Sequence, residues 1–144
     1  GNSDEDVQKA LDLAQASEFV DRMPGGIRAP IAEGGTNVSG GQKQRLSIAR
    51  ALARRPEILV FDDSFSALDY RTDAKLRAGL DRELKDTTRL IVAQRIGTIR
   101  NADKIIVLDE GKMVGMGTHR ELMQTCPVYQ EIARSQLSRE ELGA

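Results

Sequence analysis

The chain has 144 residues, of which 40% are hydrophobic and 30% are charged, a composition that suits one compact domain with its own core. Lysine and arginine number 21 against 22 acidic residues, so the formal net charge is -1 and the basic excess of a nucleic-acid-binding protein is missing. The apolar runs are too short to cross a bilayer, and a single cysteine excludes a disulfide framework and a cysteine-based metal site.

The N-terminal part of the chain is predicted to be helical and to end in a loop. Ser3 and Asp6 have the spacing of a capping box, and apolar residues recur at helical intervals up to residue 23, with a restart at Ser17. Glycine and proline then dominate residues 24–36, which favours a loop.

The stretch 38–42, Val-Ser-Gly-Gly-Gln, precedes an amphipathic helix predicted over residues 43–54. Ser39 can cap this helix, while Gly40 and Gly41 let a ligand approach free backbone amides that the helix dipole makes electropositive. The stretch therefore predicts a site for an anion such as phosphate. Serine followed by two glycines is also common in an ordinary turn before a helix.

Basic side chains accompany this helix with no acid between them. They are Lys43, Arg45, Arg50, Arg54 and Arg55. Such a set is typical of a solvated helix face, and beside an anion-binding helix start it would also favour a polyphosphate.

From residue 58 onward, short apolar runs alternate with helical stretches. The predicted elements are strand 58–62, helix 70–85, strand 89–93, a helical turn at 96–101, strand 104–108 and strand 113–116. A tight turn is expected at 109–112, and Thr118 is expected to cap a helix that Pro127 interrupts. Alternation of this kind favours an α/β fold with parallel strands and crossover helices.

Polar residues end two of the apolar runs. Asp62 is the last residue of a strand that is predicted to be fully buried, Asp63 comes next, and Gln94 follows residues 90–93. Open α/β sheets bind ligands at the carboxyl ends of their strands, where a carboxylate can orient a water on nucleotide-bound Mg²⁺. An acid at this place is also a common turn residue.

Several other residues are predicted to have structural roles. His119, the only histidine, is expected on the exposed surface of a helix, and Cys126 is expected to be a buried or idle thiol. Met113, Met116 and Met123 are expected to pack in the interior.

The order of these motifs resembles the nucleotide-binding domain of ATP-binding-cassette (ABC) transporters of the exporter type. Residues 38–42 match its signature motif, 58–63 its Walker B strand, 66–69 (Ser-Ala-Leu-Asp) its D-loop and Gln94 its switch position. Residues 111–122 also resemble the C-terminal pattern of exporters. The resemblance implies an α/β fold, namely a partial P-loop NTPase (RecA-like) core with parallel strands plus the ABC signature-bearing helical subdomain.

The resemblance assigns residues 1–56 to the helical subdomain and residues 57–144 to the C-terminal part of the RecA-like ATP-binding core. No phosphate loop of the form Gly-x-x-x-x-Gly-Lys-Ser/Thr occurs in the sequence, so the Walker A half is absent. We therefore expect a fragment, the C-terminal half of a nucleotide-binding domain, which exposes sheet edges and apolar surface.

The cofactor that the resemblance implies is ATP with Mg²⁺, and Asp62 matches the carboxylate that binds the metal. Asp63 stands where the family has its general-base glutamate, and Gln94 stands where exporters have a histidine. Aspartate is one methylene shorter than glutamate, and an amide cannot relay a proton, so we expect slow hydrolysis at this site. The implied nucleotide-binding residues are Ser39, Gly40, Gly41, Gln42 and Asp69. Asp69 is also expected to cap the helix that follows it.

The resemblance also implies partners: a second, homologous nucleotide-binding domain and a membrane-spanning domain in the same parent chain, at the cytoplasmic face of the cell membrane. Asp63 and Gln94 together predict the degenerate-site subunit of a heterodimeric exporter whose residues 39–42 complete the partner's competent site. Two alternatives stay open: a soluble ABC-type ATPase of chromosome maintenance or translation, and a fragment that acts only as a non-enzymatic interaction module.

Overall fold

The computed structural model describes residues 1–143, with side chains described for residues 1–136. The elements in chain order are α1 (Asp4–Leu13), α2 (Ser17–Arg22), α3 (Gly40–Leu52), β1 (Ile58–Asp62), α4 (Tyr70–Glu83), β2 (Thr88–Val92), α5 (Ile96–Ile99), β3 (Ile105–Asp109), β4 (Lys112–Gly117), α6 (His119–Thr125) and α7 (Pro127–Gly143). The chain forms two compact units, Gly1–Val92 and Ala93–Ala144. The boundary at residues 56 and 57 that the sequence suggests lies within the first unit and stays a prediction.

Helix α1 begins where the sequence predicts because Ser3 caps it. The Ser3 hydroxyl accepts a hydrogen bond from the Asp6 amide at 3.1 Å, and the Asp6 carboxylate accepts one from the Ser3 amide at 3.3 Å. These contacts with Ser3 hold the pKa of the Asp6 carboxyl below its ordinary value. The chain leaves the helix at Gln15, whose φ is +58°, and α2 starts at Ser17 as expected. The loop 24–36 contains short 3₁₀ turns but no longer helix.

Strands β1 and β2 pair in parallel, which confirms the α/β interpretation for the first unit. Their register runs from Ile58 opposite Thr88 to Asp62 opposite Val92. Helices of the same unit cover one face of this pair, and α1, α3 and α4 supply most of the buried helical residues. The core consists of Ala10, Leu11, Ala14, Ala16, Val20, Ile48, Ala49, Leu52, Leu59, Phe61, Phe65, Leu68, Leu76 and Leu80.

The prediction that β1 is fully buried is wrong for this structure. Leu59 and Phe61 are buried, whereas Ile58 and Val60 are 64% and 61% exposed. Successive side chains of a strand point to opposite faces, and only one face of this sheet is covered by the described residues. The expected exposure of apolar sheet surface is thereby confirmed.

The second unit is built on the antiparallel hairpin of β3 and β4. The hairpin turns at Glu110 and Gly111, which both have positive φ values, 47° and 74°, as a two-residue loop of this kind requires. The predicted turn at 109–112 is therefore confirmed. The hydrophobic core cluster of this unit consists of Ile105, Val107, Leu122, Cys126 and Tyr129.

Some sequence-based expectations for the second unit need correction. Met113 and Met116 are 59% and 52% exposed, because they lie on the outer face of a hairpin that is covered on one side only. Met123 is partly buried and packs as expected, and Cys126 is buried. His119 is half-buried rather than exposed, since its Nδ1 lies 2.7 Å from the hydroxyl oxygen of the buried Tyr129.

No helix within residues 1–143 combines the length and the apolar character that crossing a bilayer requires.

Candidate functional site

The start of helix α3 is the first candidate group, and its cap is formed as the sequence predicts. The Ser39 hydroxyl accepts a hydrogen bond from the Gln42 amide at 3.2 Å, and the Gln42 side-chain oxygen accepts one from the Ser39 amide at 3.0 Å. This reciprocal capping box fixes the direction in which the first turn presents its amides. The helix begins at Gly40, directly after the predicted cap at Ser39.

The amides of Gly40 and Gly41 make this helix start suitable for an anion. Gly40 is exposed and Gly41 is half-buried, and neither amide has a hydrogen-bond acceptor among the described residues. Free amides at the positive end of a helix dipole are suited to bind phosphate oxygens. The Ser39 hydroxyl, which already accepts from Gln42, can still donate its own hydrogen to such a ligand.

Close packing within this chain also requires a glycine at position 41. A Cβ added there would lie 3.0 Å from the carbonyl oxygen of Ala67, whereas one added at Gly40 would lie 3.8 Å from the Ala67 Cβ. The loop after β1 therefore packs directly against the helix start. Close approach of the backbone accounts for Gly41 independently of any ligand.

Two of the five basic residues near this helix are engaged in structural contacts. The Arg45 guanidinium stacks over the Phe19 ring at 4.8 Å and donates to the Gln15 carbonyl oxygen at 2.7 Å. Arg55 forms an ion pair with Asp6. Arg45 also donates from its Nε to the Gly41 carbonyl oxygen at 3.4 Å. The basic field that would favour a polyphosphate stays a prediction.

Asp62 is the second candidate group, and it lies beside a cleft between α3 and β1. The cleft has a volume of about 570 Å³ and is lined by Ser47, Ile48, Arg50, Ala51, Arg54, Val60, Phe61, Asp62 and Ser64. Neither Ser39 nor Gly40 is among its lining residues. The cleft that Asp62 lines is therefore formed by later turns of α3 and not by its capped start.

The surroundings of Asp62 fit a magnesium ion that arrives with a nucleotide. Its carboxylate is exposed at the end of β1, and the described residues contain no group of three or more histidine, cysteine or acidic side chains that could hold a metal ion. Mg²⁺ commonly uses one or two protein carboxylates and takes its other ligands from water and phosphate. A single carboxylate suits this mode of binding.

Asp63 has a backbone conformation that few residues other than glycine adopt. Its φ is +53°, in the left-handed region, which costs of order 1–3 kcal/mol and which aspartate and asparagine tolerate better than most side chains. The Asp63 amide donates to the Val92 carbonyl oxygen at 3.0 Å, and its side chain is exposed. Local contacts on both sides of the residue hold this conformation.

Gln44, on the second turn of α3, is the residue that the sequence did not single out. Its side-chain amide donates to the Asp63 carbonyl oxygen at 3.2 Å and to the Ser66 hydroxyl at 2.9 Å. Its side-chain oxygen accepts from the Ala67 amide at 2.8 Å. The only sequence signal is a polar residue on an amphipathic helix, and this signal is equally typical of a solvated face.

Asp69 caps helix α4, as its position before the helix predicts. Its carboxylate accepts hydrogen bonds from the Thr72 amide at 2.8 Å and the Thr72 hydroxyl at 2.9 Å. The Thr72 amide and then its hydroxyl hold the pKa of the Asp69 carboxyl below its ordinary value. The predicted contact of Asp69 with a nucleotide stays a prediction.

Gln94 belongs to the second unit, two residues after β2 ends. Its side chain is exposed, and its backbone carbonyl accepts a hydrogen bond from the side-chain amide of Gln136. The Gln136 oxygen accepts from the Ile96 amide at 2.7 Å. The backbone around Gln94 is therefore fixed, while the Gln94 side chain has no hydrogen bond to a described residue.

Comparison with known proteins gives matches over nearly the whole chain. Residues 2–66 match the family model for ABC transporters. The chain is 50% identical over 134 residues to an uncharacterised ABC transporter ATP-binding protein of Mycobacterium tuberculosis, which covers 93% of this chain and 23% of that protein. It is 41% identical over 136 residues to a multidrug resistance ABC transporter ATP-binding and permease protein of Lactococcus lactis, with coverage of 94% and 23%.

A solved structure gives the same result at the level of the fold. A bacterial Atm1-family ABC exporter with ATP bound matches with a TM-score of 0.90 and 36% sequence identity, over 94% of this chain and 24% of that chain. The chain thus spans about a quarter of the length of the relatives that it matches. These matches agree with the capped helix start, the strand-end acids and the parallel strand pair of the structure. The chain belongs to the ATP-binding domain family of ABC transporters.

Proposed function

We propose that this chain is part of the ATP-binding subunit of an ABC exporter, and that its helix start at residues 39–42 acts on ATP held by a second, homologous nucleotide-binding domain. The observation that carries this proposal is the arrangement of the two candidate groups. Gly40 and Gly41 have free amides at the start of α3, whereas later turns of the helix form the cleft that Asp62 lines. A nucleotide bound at residues 39–42 therefore need not be the one that Asp62 contacts.

The residues on each side fit different parts of a magnesium nucleotide. The Ser39 hydroxyl and the amides of Gly40 and Gly41 would bind phosphate oxygens, with Gln42 holding the cap. Asp62 would hold Mg²⁺, directly or through a bound water. When bound, Mg²⁺ neutralises charge on the transferring phosphate group.

The parent transporter is proposed to be an asymmetric heterodimer in which this chain contributes the slower site. Asp63 carries a short carboxylate and Gln94 a neutral amide at the positions that would act on the attacking water. The partner's site, completed by residues 39–42 of this chain, would perform most of the hydrolysis. A membrane-spanning domain, which would hold this chain at the cytoplasmic face of the cell membrane, completes the proposed assembly. The Lactococcus lactis relative, an ATP-binding and permease protein, supports this partner.

The proposal is tested by two substitutions in the exporter that contains this chain. Ser39→Glu places a carboxylate where the phosphate would bind, so we expect ATP turnover to fall by about a hundredfold or more. Asp63→Asn should leave most of the turnover, because the slower site contributes little to it. Steady-state ATPase rates of the purified exporter provide the measurement.

Ser135→Glu, on the exposed surface of α7, serves as the control for adding a carboxylate elsewhere. It should retain the wild-type rate. Equal losses for Ser39→Glu and Asp63→Asn would rule out the asymmetric arrangement.

A further inference from the structure

We propose that Gln44 is a positioning residue that couples the phosphate-binding start of helix α3 to the Asp63 loop, defined here as residues 63–67. The inference rests on the proposed function, because it assumes that a nucleotide occupies the helix start. It assigns a role to a side chain that would not contact the nucleotide itself. Through Gln44, occupancy of the helix start and the position of the Asp63 loop would change together.

The first support is that one side chain holds three points of the loop. The Gln44 amide nitrogen donates to the Asp63 carbonyl oxygen at 3.2 Å and to the Ser66 hydroxyl at 2.9 Å, and its oxygen accepts from the Ala67 amide at 2.8 Å. Donor and acceptor are both used, so only a primary amide of this length satisfies all three contacts. The loop is thereby attached to the second turn of the helix.

The second support is the conformation of Asp63 that these bonds maintain. Its φ of +53° is unusual for a residue other than glycine. The Asp63 amide is bonded to the Val92 carbonyl oxygen at 3.0 Å, and its own carbonyl oxygen accepts from Gln44 and also from the Ser66 hydroxyl at 3.2 Å. The conformation is held from β2 on one side and from α3 on the other, so loss of the α3 contact would release the loop on that side.

The third support is the direct packing of the loop on the helix start. The Ala67 carbonyl oxygen would lie only 3.0 Å from a Cβ at Gly41, one of the residues that present free amides. A shift of the first turn toward a bound phosphate therefore changes the space available to Ala67. Gln44 makes the loop follow that shift instead of separating from the helix.

The test measures amide hydrogen exchange in the exporter that contains this chain, with and without a non-hydrolysable ATP analogue and Mg²⁺. In the wild type, we expect the analogue to slow exchange at residues 40–42 and also, by about fivefold or more, in the Asp63 loop. In Gln44→Met, which keeps the length of the side chain but removes its hydrogen bonds, we expect slowing at residues 40–42 only. Gln124→Met, on the exposed face of α6, is the matched control and should behave as the wild type.

Gln44→Glu tests the hydrogen bonds of Gln44 while keeping the size and shape of the side chain. It keeps an oxygen that can accept from the Ala67 amide and loses the donor to the Asp63 carbonyl, so the slowing in the loop should be weaker than in the wild type. If Gln44→Met fails to fold, exchange in Gln44→Glu shows whether Gln44 couples the loop to the helix start.

Failure of the proposed role of Gln44 and failure of the proposed function give different results. Slowing at residues 40–42 without slowing in the wild-type loop, or equal slowing of the loop in wild type and Gln44 variants, would overturn the role of Gln44 alone. If the analogue has no effect at residues 40–42 in the wild type, the proposed function fails, and the inference fails with it.

Discussion

At the scale of single residues, the two adjacent glycines at the start of α3 have different constraints. A side chain at Gly40 would meet only the Ala67 Cβ at 3.8 Å, an ordinary contact, whereas one at Gly41 would meet the Ala67 carbonyl oxygen at 3.0 Å. Both positions are in the first turn of the helix, where alanine is intrinsically more favourable than glycine. The backbone of the Asp63 loop therefore makes one glycine replaceable and the other not.

This difference predicts the stability of the two alanine variants. Gly40→Ala should be neutral or slightly stabilising, because it gains helix propensity without a clash. Gly41→Ala should be less stable than Gly40→Ala by about 1–3 kcal/mol, the usual cost of overpacking. Urea unfolding of both variants checks this difference, and a Gly41→Ala variant as stable as Gly40→Ala would show that the loop does not pack on the helix start.

Some residues of the candidate site could be predicted from sequence, and others could not. The caps at Ser39 and Asp69 depend on residues three positions away, so their spacing identifies them directly. The role of Gln44 depends on residues 19 to 23 positions further along the chain. Nothing local distinguishes this glutamine from a solvated one, and the left-handed backbone of Asp63 is equally a product of tertiary contacts.

At the scale of elements, helix α4 is capped by Asp69, whose carboxyl group titrates. The Asp69 carboxylate accepts from the amide and the hydroxyl of Thr72, and these contacts hold its pKa in the folded protein below its ordinary value. A carboxyl whose pKa is lower in the folded state adds stability above its unfolded pKa. That stability is lost as the pH falls through the folded pKa.

Comparison with Asp69→Asn isolates this contribution. Asparagine can accept the same backbone hydrogen bond but does not titrate, so the wild type should be more stable near neutral pH. This advantage should shrink as the pH falls below about 4 and disappear below the folded pKa of Asp69. Chemical unfolding of both proteins across this range provides the measurement, and a difference that stays constant with pH would contradict the assignment.

Strand β1 shows why element type was easier to predict than burial. The apolar run at residues 58–61 correctly indicated a strand, and its parallel pairing with β2 followed from the alternation with helices. The run did not indicate what covers each face. Leu59 is buried under the helices of its own unit, while Val60 is 61% exposed, because composition records which side chains can be buried and not which neighbours bury them.

At the scale of the whole molecule, the described residues contain two candidate groups, and we propose that each belongs to a different nucleotide site. The start of α3 at residues 39–42 has free amides, and Asp62 lines a cleft of about 570 Å³ that later turns of α3 form. The sequence alone identified both groups, but the free helix start first suggested a phosphate site that belongs to this chain. Because the cleft beside Asp62 does not include the helix start, the structure supports the proposal that ATP is shared with a second domain.

The most direct test of this central claim is calorimetric titration of Mg-ATP into the chain alone, beside the same titration into the exporter that contains it. We expect the chain alone to bind no more tightly than about 1 mM, a free energy of about 4 kcal/mol, because one helix start and one carboxylate hold only parts of the nucleotide. The exporter should bind more tightly, and Ser39→Glu should weaken that binding. A dissociation constant in the micromolar range for the isolated chain would contradict the account, because the chain would then hold a complete nucleotide site of its own.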